Sequence, residues 1–204
     1  MALHRELGAC ARCPKMIGPV VHGPPVPSRV LLVGQAPGPR EGKLGKPFGW
    51  TAGKTLFGWF EGALGVDEER FRARVYITAV ARCFPGKAKG GGDRAPDPGE
   101  IERCKRWLAA EVDVLEPELV IPIGALAIRQ VLVPEAGKLA NELRLVDVVG
   151  RKLHARYHDR PVDVIALPHP SGASTWHRAA PNQKLLAKAL ALLAKHPAIV
   201  RAFA

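Results

Sequence analysis

Short apolar runs alternate along this chain with segments of helical spacing, and this alternation constrains the fold more than any other feature. Continuous short apolar runs are typical of strands that are buried on both faces. Strands separated by helices predict a mostly parallel sheet with helices packed on both sides, and therefore an α/β fold. The apolar runs are Arg29–Val33, Val75–Val80, Leu119–Ile123 and Val162–Leu167, with a further candidate strand at Leu143–Val149.

Segments with helical periodicity lie between and after these runs. The longest follows Asp97, a favourable N-cap, and begins with a proline, which the first turn of a helix tolerates. A length of 204 residues suffices for one full hydrophobic core, so the sequence predicts a single domain over residues 1–204. The predicted helices are Thr51–Leu64, Pro98–Leu115, Ala125–Val133 and Gln183–Leu193.

The composition is strongly basic, with a formal net charge of +11. Such a surplus indicates a polyanionic partner, nucleic acid first, although a general solubility adaptation explains it equally well. The longest apolar run, about Leu119–Ile128, is half of what a bilayer needs, and Arg5 and Glu6 precede any apolar stretch, unlike a secretory signal. We therefore expect a cytoplasmic protein with no membrane partner.

Four cysteines are present, and two of them form a Cys-x2-Cys motif at Cys10 and Cys13. Cys83 follows a predicted strand, and Cys104 lies in the next predicted helix. In a reducing compartment such cysteines more often hold a metal than form disulfides. Four thiolates can bind a tetrahedral zinc ion or an iron–sulfur cluster, and buried free thiols are the third possibility.

The unusual residues of the sequence fall where predicted strands end. Gly34–Gly38 follows the first strand, Arg82 and Cys83 follow the second, Gly124 follows the third and Pro168–Gly172 follows the last. In open parallel sheets, ligands bind beyond the carboxyl ends of the strands, and these ends meet at one edge. The sequence therefore predicts one ligand site assembled from these distant segments.

The individual segments suit a ligand site, and each also has a plainer structural explanation. The Gly34–Gly38 turn brings main-chain N–H groups close to a ligand, but it matches neither a phosphate loop nor a dinucleotide fingerprint and can be a simple tight turn. Phe48, in a polar loop, can stack on a flat ligand or cap the core. The glycine-rich stretch Pro85–Pro98 reads as a mobile basic loop that contacts nucleic acid or as a solvated linker.

His169 is held on a stiff loop between two prolines. An imidazole there can hydrogen-bond to a substrate or protonate it, although a lone histidine is more often structural. Small hydroxyl donors, a glycine and basic side chains follow at once, and such groups suit contacts with phosphate. These candidate DNA-binding residues are Ser171, Gly172, Ser174, His177 and Arg178.

Together these segments resemble the uracil-DNA glycosylase superfamily, in particular its iron–sulfur branch from bacteria and archaea, families 4 and 5. The matching pieces run in the family's order and span nearly the whole chain. They are Cys-Ala-Arg-Cys at 10–13, Gly-Gln-Ala-Pro-Gly at 34–38 with Glu41, Gly-Lys-Pro-Phe at 45–48, Ala-Gly at 52–53, Val-Tyr-Ile-Thr-Ala-Val-Ala-Arg-Cys at 75–83, Cys104, Ile-Gly-Ala at 123–125 and His-Pro-Ser at 169–171.

The resemblance implies a three-layer α/β/α sandwich around a four-stranded, mainly parallel sheet. It implies a monofunctional DNA-repair hydrolase that cleaves the N-glycosidic bond of a flipped-out uracil, with other deaminated bases as further candidates, and leaves an abasic site. Uracil-containing DNA, double- or single-stranded, is then the partner, and we expect a monomer. The resemblance favours a [4Fe–4S] cluster over zinc, and its ligands would be Cys10, Cys13, Cys83 and Cys104.

The resemblance also assigns roles within the site. The phenylalanine that matches Phe48 stacks on uracil, the histidine that matches His169 stabilises the departing base, and the loop after it enters the minor groove. Main-chain N–H groups near Gln35 and the imidazole of His169 would supply hydrogen-bond donors to the leaving base. The segment that cups the base and helps to place the water comprises Gly34, Gln35, Ala36, Pro37 and Gly38.

The chain departs from the family's patterns at three positions. Gln35 stands where family 4 usually has glutamate, Ala36 where family 1 has aspartate, and Ala79 where many members have a uracil-reading asparagine. Glu41 is then the best available carboxylate, either orienting water or balancing the cationic sugar, and the alternative is a surface carboxylate beside Arg40. Two other functions remain open: a damaged-DNA or abasic-site binding protein on the same fold, and a metalloprotein acting on free nucleotides.

Overall fold

The computed structural model describes residues 2–132 and 143–204, which fold around a twisted sheet. Within these residues the sheet has five strands in the order β2-β1-β3-β5-β4. Strand β1 pairs in parallel with β2 and β3, β3 pairs in parallel with β5, and β4 is antiparallel to β5. The strands are β1 (Val30–Gly34), β2 (Tyr76–Ala79), β3 (Leu119–Pro122), β4 (Leu153–Tyr157) and β5 (Arg160–Val164).

Helices connect the strands and cover the sheet. The longest begins at Pro98 behind a capping box in which Asp97 accepts from the main-chain N–H of Glu100 at 2.8 Å and Glu100 accepts from that of Asp97 at 2.8 Å. A short 3-10 helix lies at Trp176–Arg178. The α-helices are α1 (Ala2–Gly8), α2 (Pro39–Leu44), α3 (Thr51–Leu64), α4 (Glu68–Arg74), α5 (Pro98–Leu115), α6 (Gly124–Leu132), α7 (Leu145–Val148), α8 (Ala180–Lys195) and α9 (Pro197–Phe203).

Strand β1 divides the core into two halves. Its side chains are fully buried and alternate between the faces: Val30 and Leu32 join a cluster that includes residues of α3 and α8, whereas Leu31 and Val33 join one that includes residues of α5 and α6. Helices therefore cover both faces of the sheet, which confirms the predicted α/β/α sandwich with a mainly parallel sheet.

The strand count of the prediction is wrong, because the described part of the chain has five strands and not four. The additional strand, β4, has a mixed sequence, Leu-His-Ala-Arg-Tyr, with His154 and Arg156 exposed. As an antiparallel edge strand it buries only one face, so it shows no continuous apolar run. Continuous apolar runs therefore do not predict β4.

The predicted strand at Leu143–Val149 is also wrong, since Leu145–Val148 forms the short helix α7. Arg144 donates two hydrogen bonds to the Asp147 carboxylate, at 2.9 and 3.0 Å, across this single turn. The apolar residues of this segment pack on the core from a helix rather than from a strand, and Val148 and the following Val149 are buried. Of the predicted helix Ala125–Val133, Val133 lies outside the described residues.

None of the helices within residues 2–132 and 143–204 combines the length and the apolarity that a membrane crossing requires.

Candidate active site

A cavity of about 530 Å³ opens at the carboxyl ends of β1 and β2. Most of the segments that the sequence singled out meet there, since Gly34–Gly38, Phe48, Ala79 and His169 all line it. Arg82, Cys83 and Gly124, which also follow predicted strands, are not part of its wall, and Arg82 is instead buried in an ion pair with Glu111. Phe48 and His169 are 121 positions apart and share this one cavity. Its wall also includes residues that the sequence reasoning did not select as site residues: Trp50, Lys87, Asp93 and Arg94.

The ring of Phe48 lies against the end of strand β1. A β-carbon placed on Gly34 would be 2.9 Å from the ring's Cζ atom, a distance that real contacts do not show. Phe48 has a φ of 51°, which bulky residues rarely adopt, and only 9% of the side chain is exposed. Gly53 admits this conformation, because its β-carbon would lie 1.8 Å from the Phe48 carbonyl oxygen.

Arg72, on helix α4, holds the Phe48 loop from behind. Its guanidinium donates to the carbonyl oxygens of Pro47 at 2.9 Å and of Phe48 at 3.0 Å. It also pairs with Glu68 at 2.8 Å and lies 4.4 Å from the centre of the Phe57 ring. Sequence reasoning missed this residue, because nothing in the local pattern of α4 distinguishes Arg72 from its charged neighbours.

Glu41 connects two loops that line the cavity, the Gly34–Gly38 turn and the loop that carries Phe48. One carboxylate oxygen accepts from the main-chain N–H of Gly38 at 2.6 Å, and the other accepts from that of Gly49 at 3.0 Å. Burial raises the pKa of this carboxyl, and the main-chain hydrogen bonds oppose the rise. The structure therefore places Glu41 at the cavity, with both of its oxygens engaged in fixing the main chain.

The Gly34–Gly38 turn is anchored to the strand beside it. The carbonyl oxygens of Gly34 and Gln35 accept from Val80 N–H at 2.9 Å and Ala81 N–H at 3.0 Å. Ala79 stands opposite Gly34 in the register of the parallel pair and is buried. The hydrogen bonds to the neighbouring strand thus engage the carbonyl groups of Gly34 and Gln35.

His169 is a partly buried imidazole with a defined tautomer. The main-chain N–H of Ser171 donates to its Nδ1 at 3.2 Å, and the Ser171 hydroxyl lies 2.9 Å from the same atom. An accepting Nδ1 leaves the ring proton on Nε2. Burial lowers the pKa of His169, and His177 lowers it further, so the ring is neutral at neutral pH.

Gly124 provides the space beside this ring. It has a φ of 84°, and a β-carbon there would lie 3.1 Å from the Cβ of His169 and 3.2 Å from its Cδ2. The glycine after the third strand therefore lets the loop after the last strand approach closely.

The loop after His169 forms a compact surface turn. Ser174 N–H donates to the Ser171 carbonyl at 3.0 Å, and Gly172 and Arg178 are exposed. His177 is partly buried, and its ring packs edge-on against Trp59 with ring centres 5.3 Å apart. Ser171 lines the cavity, whereas the other members of the predicted DNA-binding set lie outside its wall.

Within the glycine-rich stretch Pro85–Pro98, residues 86–94 form a hairpin. Ala88 N–H donates to Gly92 O at 3.1 Å, and Arg94 N–H donates to Gly86 O at 3.0 Å. Lys87 and Asp93 bridge the two arms. Arg94 is fixed in turn by Glu100, which it contacts through two bonds of 2.7 and 2.6 Å. In the sequence, the signal for this hairpin is that Lys87 and Asp93, which are oppositely charged, stand on either side of three glycines.

The four cysteines, all reduced, come together beside the cavity. Burial raises the pKa of Cys83 to about 11, and the neighbouring Cys104, Cys13 and Cys10 contribute to the rise. Cys104 belongs to a small buried cluster, and Cys10 and Ala36 of the turn both pack against this cluster. In the described ranges, no group of three or more His, Cys, Asp or Glu side chains is arranged to hold a metal ion.

The cysteine segments are fixed to one another by main-chain bonds. Ile17 and Phe84 exchange two hydrogen bonds, at 2.8 and 3.0 Å, and Val21 N–H donates to Arg82 O at 2.7 Å. These bonds attach the N-terminal segment that carries Cys10 and Cys13 to the loop that carries Cys83.

Comparison with known families gives one match over most of the chain. The family model described as the uracil DNA glycosylase superfamily matches residues 20–194. This range contains the Gly34–Gly38 turn, Phe48, Ala79 and His169.

Individual relatives are named as type-4 or type-5 uracil-DNA glycosylases. The chain is 28% identical over 146 residues to a type-4 uracil-DNA glycosylase of Sulfurisphaera tokodaii, a match covering 72% of this chain and 61% of that protein. It is 30% identical over 172 residues to a type-4 enzyme of Pyrobaculum aerophilum, covering 83% and 81%. A type-5 uracil-DNA glycosylase of the same organism is 28% identical over 191 residues, covering 76% and 80%.

Proposed function

The chain belongs to the uracil DNA glycosylase superfamily, and from this premise we propose that it is a DNA-repair hydrolase that excises uracil from DNA. The cavity shared by Phe48 and His169 at the carboxyl ends of the parallel strands carries this proposal. A flat pyrimidine would stack on the Phe48 ring, and the His169 imidazole would face the atoms of the base that gain negative charge. The relatives are named for glycosylase activity, which favours turnover over binding alone.

A base inside a duplex cannot be reached, so the target nucleotide must be turned out of the stack at a cost of a few kcal/mol. Contacts from lysine and arginine to phosphates supply affinity without reading sequence, in keeping with the net charge of +11. We propose that Ser171, Gly172, Ser174, His177 and Arg178 form one side of this contact. Either double- or single-stranded DNA would meet the same cavity.

Cleavage of the N-glycosidic bond gives the sugar oxocarbenium character and leaves negative charge on the departing base. The reaction therefore requires hydrogen-bond donors at the base more than a strong nucleophile. The neutral imidazole of His169 has its proton on Nε2 and donates without carrying a charge. Main-chain N–H groups of the turn at Gln35 would supply further donors, and water completes the hydrolysis to an abasic site and free base.

Glu41 is assigned a supporting role in this proposal. Its two oxygens hold the N–H groups of Gly38 and Gly49, so that it fixes the turn relative to the Phe48 loop. The negative charge that it retains when ionised lies at the cavity wall and would favour a cationic sugar.

We further propose that Cys10, Cys13, Cys83 and Cys104 hold a [4Fe–4S] cluster. Four free thiols contributed by three separate segments lie near one another, and such a set can supply the four thiolates of a shared metal centre. A cubane carries one thiolate on each iron and so accepts thiols farther apart than a single tetrahedral zinc does. The cluster would tie the N-terminal segment to α5 as a structural element.

The activity is tested with an oligonucleotide that contains one uracil, as a single strand and as a duplex, treated with alkali after incubation to break the strand at abasic sites. We expect breakage at the uracil position and none in the matched thymine oligonucleotide. Tight binding without breakage would support the abasic-site binding protein instead. Lack of salt-dependent DNA binding would favour the reading as an enzyme of free nucleotides.

The metal assignment has its own test. Anaerobically purified protein is expected to be brown, to contain about four iron atoms per chain, and to lose both iron and colour when Cys13 is changed to serine. A colourless protein with one zinc per chain would reverse the assignment.

A further inference from the structure

The hairpin of residues 86–94 brings to the cavity a carboxylate, Asp93, to which the resemblance to the family assigns no role. Asp93 lines the cavity together with Gly38 and Glu41. Its Oδ2 lies 3.5 Å from the place where a β-carbon on Gly38 would be, and so does the Oε2 of Glu41. The two carboxylate oxygens therefore lie no farther apart than twice this distance, at one end of the cavity.

Asp93 is held in place by the hairpin itself. Lys87 donates to its Oδ1 at 2.6 Å across the two arms, and main-chain bonds at Ala88 and Arg94 close the hairpin. Arg94, the next residue, is fixed by the buried Glu100 through two hydrogen bonds. The position of Asp93 is thus determined from both sides, although the side chain is 43% exposed and open to water.

The two carboxylates differ in what they are free to do. Glu41 receives a main-chain N–H on each oxygen, so it fixes the turn. Asp93 directs one oxygen to a lysine and presents the other near Gly38, where solvent can enter. A carboxylate that is to take a proton from water needs an oxygen that is open to water. Asp93 is 43% exposed, and its Oδ1 accepts from Lys87, whereas both oxygens of Glu41 already accept main-chain N–H groups.

We propose that Asp93 is the carboxylate that orients and deprotonates the attacking water, an inference that rests on the proposed function. The water oxygen forms a bond to the sugar C1′, and the C1′–N bond breaks with its electron pair leaving on the base. The proton lost by the water passes to Asp93, and solvent returns a proton to the base, which His169 has stabilised by hydrogen bonding. Lys87 acts as a positioning residue that holds the Asp93 carboxylate in its orientation.

The test compares Asp93→Asn with Asp113→Asn, the same chemical change at an exposed aspartate outside the cavity wall. In single-turnover assays on uracil-containing DNA, we expect Asp93→Asn to be slower by about 10²-fold, with DNA affinity within about threefold of the unchanged protein. Asp113→Asn is expected to match the unchanged protein. An Asp93→Asn protein that cleaves as fast as the control would overturn the proposal, and so would an equal loss of binding and cleavage.

Chemical rescue separates proton transfer from a structural role. Sodium formate added to Asp93→Ala supplies a small carboxylate in the space vacated by the side chain, and we expect it to restore cleavage at least about tenfold, with no effect on His169→Ala. Failure of formate to accelerate Asp93→Ala would reject Asp93 as the proton acceptor. If the unchanged protein does not cleave uracil-containing DNA, the proposed function itself fails, a result distinct from an active protein that is indifferent to Asp93.

Discussion

The ring of Phe48 occupies the space that a side chain at Gly34 would fill, with Cζ 2.9 Å from the β-carbon position. We predict that Gly34→Ala pushes the ring out of place and lowers the cleavage rate at least about tenfold, because a displaced ring loses stacking worth ~1–3 kcal/mol. Overpacking is also expected to lower the free energy of unfolding by ~1–3 kcal/mol. Single-turnover cleavage and urea unfolding measure the two effects.

Gly58→Ala is the matched control for this change. Gly58 lies in helix α3, and a β-carbon there meets nothing within 4 Å. This variant is expected to keep full activity and to gain ~0.5–1 kcal/mol, since alanine favours a helix. Unchanged activity in Gly34→Ala would show that the Phe48 ring does not contribute to base binding.

For His169→Ala we predict at least about a tenfold loss of single-turnover rate on uracil-containing DNA, with DNA binding preserved, because one donor to the departing base is removed. His154→Ala, a change at an exposed histidine on β4, is the control and should retain the rate. Equal rates for the unchanged protein and His169→Ala would remove this imidazole from the reaction.

The lowered pKa of His169 also predicts a pH dependence of stability. The unfolded chain protonates this imidazole near its ordinary pKa of about 6.5, whereas the folded protein does so only at lower pH. The free energy of unfolding is therefore unaffected by this group above about pH 6.5 and falls as the pH drops toward the lowered pKa. Urea unfolding at neutral and mildly acid pH should show a smaller acid-induced loss in His169→Ala, and an identical loss would contradict the shift.

Arg72→Lys tests how the Phe48 loop is held. Lysine cannot supply the two bonds of the guanidinium to the Pro47 and Phe48 carbonyls together with its stacking on Phe57. We expect weaker substrate binding in steady-state kinetics, with KM raised about five- to tenfold, as predicted for a loosened loop. Lys46→Met removes only an exposed pair with Glu68 and should leave KM unchanged.

The buried pair of Arg82 and Glu111 is expected to be the most sensitive ionic contact of the described core. Glu111 accepts from Arg82 at 2.7 Å, from Tyr76 at 2.9 Å and from Thr78 at 2.9 Å, with both charged side chains almost fully buried. Glu111→Ala leaves a buried guanidinium without its partner and should cost about 3–5 kcal/mol in urea unfolding. Glu102→Ala, at an exposed position of the same helix, should cost less than about 1 kcal/mol; similar losses in both variants would refute this.

Where the sequence pattern reports burial directly, prediction and structure agree. The fully buried strand β1 and the amphipathic helix α5 with its Asp97 cap lie within a residue of the predicted bounds. The meeting of the Gly34–Gly38 turn and His169 followed from the sequence, because parallel strands place their carboxyl ends together. The presence of Phe48 beside them followed from the resemblance to the family. The roles of these residues remain predictions.

The features that escaped prediction depend on pairing between distant segments. Strand β4 is defined by its pairing with β5 and not by its own apolar content. Arg72 holds the Phe48 loop and Asp93 lines the cavity only in the folded chain, and no local pattern encodes either position. Glu41 was selected as a carboxylate, but its engagement of two main-chain N–H groups requires the folded loops.

The outermost strands of the sheet bear on self-association. Unpaired strand edges are templates for joining other chains. On one side, the exposed Arg156 projects from β4, and charge at such a margin opposes intermolecular pairing. On the other, the segment from Ile17 to Val21 takes up main-chain groups just past the end of β2. Both features leave fewer main-chain groups at the margins of the sheet accessible to another chain, which disfavours edge-to-edge pairing of two copies.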